Sequence, residues 1–325
     1  MTCHCSISPS AISVASAINK VAIFTDDPGW HGRVLTEALK THGLQAQYVS
    51  LCDCSFLISD SGVTLDIPGF NLSNPLAAYV RGVPGGSLEQ VIKRLNVLHY
   101  LSSIGVAVFN EGRAIERTVD KSMTSVLLSQ AGIPIIDTWV TESRDEAIAR
   151  FMQERAKGHQ LVIKPMFGSQ GVGVQMFDSP SQLDDEQFQG LYYLQRFLDS
   201  KTDVFRDIRV LVINGRVESA MIRQSEHWIT NRTQGATCEA LTIDAQLAQL
   251  AVDAVKACDI DYAGVDIMFD MQGKARVIEV NSIPAWWGLQ KVTNFDIASR
   301  LIDAFCAKIA RLSTASMAHQ VNESH

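Results

Sequence analysis

The chain has 325 residues, 46% of them hydrophobic and 19% charged, which are values of a globular protein with room for about two or three packed domains. Its formal net charge of −7 excludes a surface built to neutralise nucleic-acid phosphates, although a nucleotide pocket would need only a few local cations. The seven cysteines, odd in number and without a C-x-x-C pair, point to reduced thiols in the cytosol, and the Ser- and Ala-rich stretch before residue 19 is too dilute in apolar residues for a signal peptide or membrane span.

Residues 20–25 (KVAIFT) form a short β-branched run, and Asp26-Asp27-Pro28-Gly29 turns the chain. A helical pattern follows over 31–42, ended by Gly43 before a strand at 46–51. Strand, helix and strand at this spacing predict a βαβ unit in a parallel sheet. Residues 77–80 give a third strand, 87–104 a long amphipathic helix and 106–109 a fourth strand, so the segment to Gly112 is expected to be a Rossmann-like α/β domain. It has no G-x-G-x-x-G after its first strand, which argues against a dinucleotide. In Arg81-Gly82-Val83-Pro84-Gly85-Gly86 the glycines either merely turn the chain or open a place where Arg81 holds an anionic part of a substrate, and the sequence leaves both open.

A helix is expected from Ile115 to Gly132, carrying Lys121 beside Asp120, with extended structure resuming at 138–141. Lys164 ends the hydrophobic strand 161–164, and a loop with Gly168, Gly171 and Gly173 leads into a strand at 174–177. Glycines there let backbone N–H groups approach phosphate oxygens, although neither the order of residues nor a following helix matches the Walker loop. After a strand-like run at 192–198, broken by Lys201-Thr202-Asp203, Arg206-Asp207-Ile208-Arg209 opens a strand at 210–213. This turns through Asn214-Gly215 into 217–222, with Arg223 at its end. Arg209 and Arg223, on opposite arms of one hairpin, could clamp a transferring phosphoryl group and a carboxylate.

A helix over 245–257 leads into a second hairpin, 265–269 and 275–280, turning at Gln272-Gly273. Asp266 interrupts its first strand, and Glu279 and Asn281 lie two apart on the second, so strand periodicity puts the latter pair on one face. Two carboxylates and an amide oxygen, with no His or Cys, are hard ligands suited to Mg²⁺ or Mn²⁺ carrying a nucleotide's phosphates. A helix over 297–312 closes the chain, and residues 313–325, like 1–18, are expected to be a mobile tail.

Taken together, Asp120-Lys121, Ile163-Lys164-Pro165 with Gly168-Ser169-Gln170-Gly171-Val172-Gly173, Asp207-Ile208-Arg209, Ala263-Gly264-Val265-Asp266 and Glu279-Val280-Asn281 resemble the ATP-grasp superfamily. Within it they are similar to the RimK-type carboxylate–amine ligases that add glutamate, over about residues 20–310. The phrases at 138–143 (TWVTES) and 279–289 (EVNSIPAWWGL), with the Trp228…Asn231…Gln234-Gly235 loop, resemble most its archaeal branch of tetrahydromethanopterin:glutamate ligases.

The resemblance implies an α/β (α+β) ATP-grasp fold with an N-terminal Rossmann-like pre-ATP-grasp domain. Residues 19–112 would be the substrate domain, 113–195 the small lid subdomain and 196–312 the C-terminal subdomain with the metal site. It implies ATP phosphates on Lys121 and Lys164 beneath the loop of Gly168, Ser169, Gln170 and Gly171, with the adenine edge read by the backbone of Gln195, Arg196 and Phe197. Asp207, Thr230 and Asn231 would help to hold the nucleotide, and Asp266, Glu279 and Asn281 would hold two Mg²⁺ or Mn²⁺ ions. Arg209 and Arg223 would be the catalytic pair, stabilising an acyl-phosphate and orienting the incoming carboxylate.

The implied substrates are L-glutamate and a small carboxylate acceptor, in a cytoplasmic homo-oligomer with neither nucleic acid nor membrane as partner. Arg196 stands where relatives often have an acid, Ile229 where the RimK proteins proper are often basic, and the segment 231–236 (NRTQGA) departs from their Arg-Gly-Gly ending. The last two departures favour a small coenzyme over a ribosomal-protein tail. A non-catalytic ATP sensor is the other alternative, and the joint retention of Lys121, Lys164, Arg209, Asp266, Glu279 and Asn281 speaks against it.

Overall fold

The computed structural model describes residues 18–72, 77–168, 171–183, 188–198, 204–230 and 235–322, with side chains described to Ala315. The expected N-terminal tail up to residue 17, the break at 201–203 and three expected nucleotide contacts, Ser169, Gln170 and Asn231, lie outside the described residues. Contacts divide the chain into a unit of residues 1–113 with 295–325 and a unit of 114–294. The closing helix therefore groups with the N-terminal segment, and not with residues 196–294 as expected.

In the first unit the strands β1 (Lys20–Phe24), β2 (Gln45–Val49), β5 (Ala77–Val80) and β6 (Ala107–Phe109) form a parallel sheet in the order β2-β1-β5-β6. The helices α1 (Gly29–Thr41) and α2 (Leu88–Ser103) make the crossovers that a parallel sheet requires. Ser87 and Gln90 start α2 as a reciprocal capping box, so its first turn leaves fewer N–H groups unpaired. A small hairpin, β3 (Ser55–Ser59) with β4 (Gly62–Asp66), was not expected. Its strands are mostly exposed and carry little apolar alternation, the signal by which strands are recognised.

The loop after β5 is closed by its own unit: Arg94 donates to the carbonyls of Pro84 at 2.9 Å and Gly85 at 2.7 Å. A Cβ on Gly86 would collide with Gln90, which gives that glycine a packing reason. Arg81 remains half-buried beside the start of α1, where burial and the Arg81 charge hold His31 down to about 4.

The second unit holds two antiparallel sheets. Where one helix was expected there are two, α3 (Gly112–Val119) and α4 (Lys121–Gln130), because Asp120 leaves the helical region. Its carboxylate accepts from the N–H groups of Ser122 at 2.8 Å and Met123 at 3.0 Å and so caps α4. Lys121 is thereby the first residue of α4, an unfavourable end of the helix dipole for a cation and a favourable one for an anion beside it.

The first sheet runs β7-β10-β8-β9, from β7 (Thr138–Thr141), β8 (Leu161–Lys164), β9 (Gln175–Phe177) and β10 (Tyr192–Arg196). Helix α5 (Arg144–Ala156) packs Ala147 and Phe151 against it. The second sheet runs β13-β12-β11-β14-β15, from β11 (Phe205–Ile213), β12 (Arg216–Ser225), β13 (Thr237–Ala240), β14 (Tyr262–Phe269) and β15 (Ala275–Asn281). Helix α6 (Ala245–Ala257) covers one face, joining Leu247, Ala251 and Val255 to Val210, Val265, Val277 and Val280. Asn214 and Gly215, at φ +47° and +71°, make the tight β11–β12 turn expected of Asn-Gly.

A bulge in β15 sets the other face. Asp266 pairs with Glu279 but Ile267 pairs with Val277, so Ile278 is an extra residue. Val277 and Val280 can then both enter the core although they are three apart, while Ile278 and Glu279 both line the cleft on the far side. After β15 come α7 (Trp287–Val292) and the C-terminal helix Ile297–Asn322. The latter packs Phe305 against Tyr79 and Phe109, with ring centroids 5.6 Å and 5.7 Å away. It passes the expected end at 312, and the Ser313 and Thr314 hydroxyls bond back to the carbonyls of Ile309 and Ala310 inside the helix.

Candidate active site

A cleft of about 1160 Å³, open solvent at its mouth included, lies between the two sheets of the second unit. Val162 lines it from β8, Val174 from the loop before β9, Met268 and Ile278 from the second sheet, and Phe197 and Leu198 from the segment after β10. Apolar side chains from both sheets together with several charged groups suit a flat base carrying a charged tail.

Two lysines are among the charged groups. Lys121 Nζ donates to the carbonyls of Met166 at 3.1 Å and Gly168 at 3.0 Å, so it is tied to the glycine loop. Burial pushes its pKa down against the attraction of Glu279 and Asp120. Lys164 Nζ donates to Gln195 Oε1 at 2.6 Å, and burial holds its pKa down to about 8 despite the pull of Glu279. Glu279 thus acts on both amines.

The facing sheet carries four buried charged side chains. Arg209 forms a two-pronged pair with Asp266, its Nη2 lying 2.7 Å from Oδ2. Arg223 grips Asp207 through Nε at 2.6 Å and Nη2 at 2.5 Å, and its Nη2 also lies 3.0 Å from Asp266 Oδ2. Two acids and two arginines cancel, which is how such groups tolerate burial. Burial raises the Asp266 pKa, but the two guanidiniums outweigh it and hold the carboxyl below its usual range. For Asp207 burial wins, and its pKa is raised although Arg223 opposes it. Gly264 permits the arrangement, since a Cβ there would lie 2.7 Å from Arg209 Nη1 and 3.0 Å from Pro284 Cβ.

The cleft brings together Lys121, Lys164, Gly168, Gly171, Gln195, Arg196, Phe197, Asp207, Arg223, Thr230, Asp266 and Glu279, which sequence reasoning had gathered from separate motifs. Several of these residues have partners within the chain. The N–H groups of Arg196 and Phe197 donate to the carbonyls of Asp137 at 2.9 Å and Gln160 at 2.8 Å, so these two donors are already engaged within the chain. Asp207 is turned to Arg223, and Thr230 donates to Asp207 Oδ2 at 2.7 Å, so both support the arginine at the edge of the cleft. The unusual Arg196 pairs with Asp137 at 2.6 Å and Glu154 at 2.8 Å. Glu154, only 1% exposed, is pushed up by burial and pulled further down by Lys157, His159 and Arg196, so it remains charged.

The donor set fits a hard cation. Asp266 and Glu279 are cross-strand partners, with Asn281 two residues on opposite Gly264. Asn281 Nδ2 is buried without a hydrogen-bond partner, and an amide turned the other way would offer its oxygen there. Among the described residues no group of three or more His, Cys, Asp or Glu could hold a metal, so a cation here would rest on two carboxylates and one amide. An ion there would complete its shell with phosphate oxygens and water. Sequence reasoning missed the side chains of Tyr193, Thr138 and Ser125 around the lysines. The signal was the polar tips of Tyr193 and Gln195 two apart on an otherwise apolar strand.

Two antiparallel sheets enclosing a cleft lined by lysines and carboxylates are the arrangement of ATP-grasp enzymes. A family model described as the RimK-like ATP-grasp domain matches residues 118–305, and the chain belongs to that family. It is similar to the tetrahydromethanopterin:alpha-L-glutamate ligase of Methanococcus maripaludis, at 34% identity over 70% of this chain and 77% of the relative. It is also similar to a protein of Aeromonas salmonicida named probable alpha-L-glutamate ligase, at 27% identity over 90% of this chain and 98% of the relative. The solved structure of the ATP-grasp ligase PsnB with minimal precursor, Mg and ADP superposes with a TM-score of 0.66 at 23% identity, covering 89% of this chain and 98% of that one. The protein is therefore a ligase that forms C–N bonds.

Proposed function

We propose that this ligase activates a carboxylate with ATP and joins it to the amine of L-glutamate, and that the acceptor is a small coenzyme of the tetrahydromethanopterin or methanofuran kind. The reading rests on one observation above all: Lys121 and Lys164 line one cleft together with the carboxylates of Glu279 and Asp266. Lys121, Lys164 and the loop with Gly168 to Gly171 would hold the triphosphate. Asp266, Glu279 and Asn281 would hold two Mg²⁺ or Mn²⁺ ions, which supply charge neutralisation at the phosphates.

The acceptor carboxylate oxygen attacks the γ-phosphorus and ADP leaves, with the lysines countering the developing charge. The glutamate amine then attacks the acyl carbon, inorganic phosphate departs, and the amine loses its proton. Arg209 and Arg223, fixed by Asp266 and Asp207, would meet the acyl-phosphate and the carboxylate. The glycine loop would exclude water from the acyl-phosphate in the meantime.

A coenzyme acceptor is favoured by Ile229, which removes a cation suited to a peptide tail, and by the substrate named for the Methanococcus maripaludis relative. Cys52, Cys54, Cys238, Cys258 and Cys306 are free thiols, which suits a cytoplasmic enzyme, and a homo-oligomer is expected. Among the described residues no helix is long and apolar enough to cross a membrane. The test is mass spectrometry of candidate coenzymes incubated with enzyme, ATP, Mg²⁺ and L-glutamate. Gain of glutamyl units with matching ADP release is expected, whereas ADP release absent with every acid, peptide tails included, would overturn the reading.

A further inference from the structure

Around Lys164 the hydrogen bonds form a chain whose direction can be worked out from its ends. Thr138 Oγ1 donates its single proton to the carbonyl of Ile136 at 2.8 Å, so towards Gln195, 3.1 Å away, it can only accept. That fixes the amide: Nε2 of Gln195 points to Thr138, and its oxygen must face Lys164 Nζ at 2.6 Å. A second branch runs the same way. Ser125 Oγ donates to the carbonyl of Lys121 at 2.9 Å, so at 3.0 Å it accepts from the Tyr193 hydroxyl, whose oxygen is left for the second Nε2 proton of Gln195 at 3.5 Å.

The members are well covered. Gln195 is 3% exposed and Tyr193 2%, and burial keeps the phenol protonated and donating. Strand geometry explains the meeting: Tyr193 and Gln195 lie two apart on β10, and Tyr193 is the direct cross-strand partner of Lys164 on β8. The far end is the first turn of α4, which begins with Lys121.

We propose that Gln195, Tyr193 and Ser125 are positioning residues that fix the Lys164 amine relative to the helix bearing Lys121, so that the two cations meet a triphosphate at a set separation. None of the three needs to touch the nucleotide through its side chain. A strand with apolar side chains here would leave a four-carbon lysine stem free to sample many rotamers, and fixing them on binding would weaken the complex. The proposal rests on the reading of Lys121 and Lys164 as phosphate contacts, and the experiment separates the two.

Equilibrium binding of a non-hydrolysable ATP analogue with Mg²⁺ is measured for Lys164→Met, Gln195→Leu, Gln195→Glu, Tyr193→Phe and the double variant Lys164→Met with Gln195→Leu, with thermal unfolding of each free protein alongside. Gln195→Leu is expected to weaken binding by about 5- to 30-fold, the range of one or two lost interactions. Gln195→Glu, which keeps an acceptor oxygen but pairs the amine with a charge and loses both Nε2 donors, should weaken binding at least as much. Tyr193→Phe keeps the ring and should weaken binding by about 5-fold. In the Lys164→Met background, Gln195→Leu should have no further effect, which a purely structural role would not produce. Additive losses in the double variant, or unchanged binding in Gln195→Leu and Tyr193→Phe while Lys164→Met loses it, would overturn the positioning role. Unchanged binding in Lys164→Met itself would instead overturn the phosphate contact on which it rests.

Discussion

On one wall of the cleft Arg209 pairs with Asp266 and Arg223 with both Asp207 and Asp266, while Glu279 beside them attracts the two lysines. On the other, Lys121 and Lys164 lean on neutral oxygens, the carbonyls of Met166 and Gly168 and the amide of Gln195. Charges that cancel within the protein hold shape and contribute to folding. Charges held by neutral acceptors remain available to an incoming anion, and burial makes them costly until it arrives.

Breaking each wall should therefore give a different signature. The largest effect is expected from the metal carboxylates, where Glu279→Gln and Asp266→Asn should each lower the single-turnover rate of ADP formation by about 10³-fold or more. Only Asp266→Asn should also unfold early, by about 3–5 kcal/mol in urea titration, because it leaves two buried guanidiniums without their shared partner. Arg223→Ala should cost a similar amount of stability by stranding Asp207. Lys164→Met should show the reverse, with unfolding unchanged or shifted towards greater stability while turnover falls by about 10²-fold.

The pH dependence sharpens the contrast. Lys164 is held at about 8 in the folded protein against a usual 10.5, so between these values the unfolded chain keeps a proton that the folded one releases. The stability contribution of this group rises with pH through that window, and its penalty is complete below it. A bound triphosphate favours the charged amine, so affinity should fall as pH rises above about 8, with proton uptake on binding visible in titration calorimetry across buffers. Lys164→Arg should flatten that slope, since a guanidinium stays charged. The smallest effect is expected from Thr230→Val, which removes one donor from Asp207 and should cost about 1–2 kcal/mol of stability.

Much of the arrangement could be read from residue order. The βαβ start, the Asn214-Gly215 turn and the helix over 245–257 follow from local chemistry, and all three are present. What local patterns could not give were decisions made by tertiary packing. The chain Asp120-Lys121-Ser122 has no Gly or Pro to mark a break, yet the helix restarts there because Asp120 caps it. The bulge at Ile278 breaks strict alternation, and its only trace was the pair Val277 and Val280 at a spacing a regular strand would not bury on one side. The partners of Asp207 and Arg196 were likewise hidden, because an irregularity between Leu211 and Val212 shifts the hairpin register that sets Arg223 opposite Asp207, and Glu154 reaches Arg196 from a separate helix.

The central claim is that a nucleotide is seated by a cation on Asp266, Glu279 and Asn281 opposite the two lysines. The most direct measurement is a calorimetric titration of ATP into the enzyme with Mg²⁺ and with the metal chelated, repeated on Glu279→Gln. Tight binding that requires Mg²⁺ in the unaltered protein and is lost in Glu279→Gln is the predicted result. Binding of equal strength without metal, and unchanged by Glu279→Gln, would contradict it.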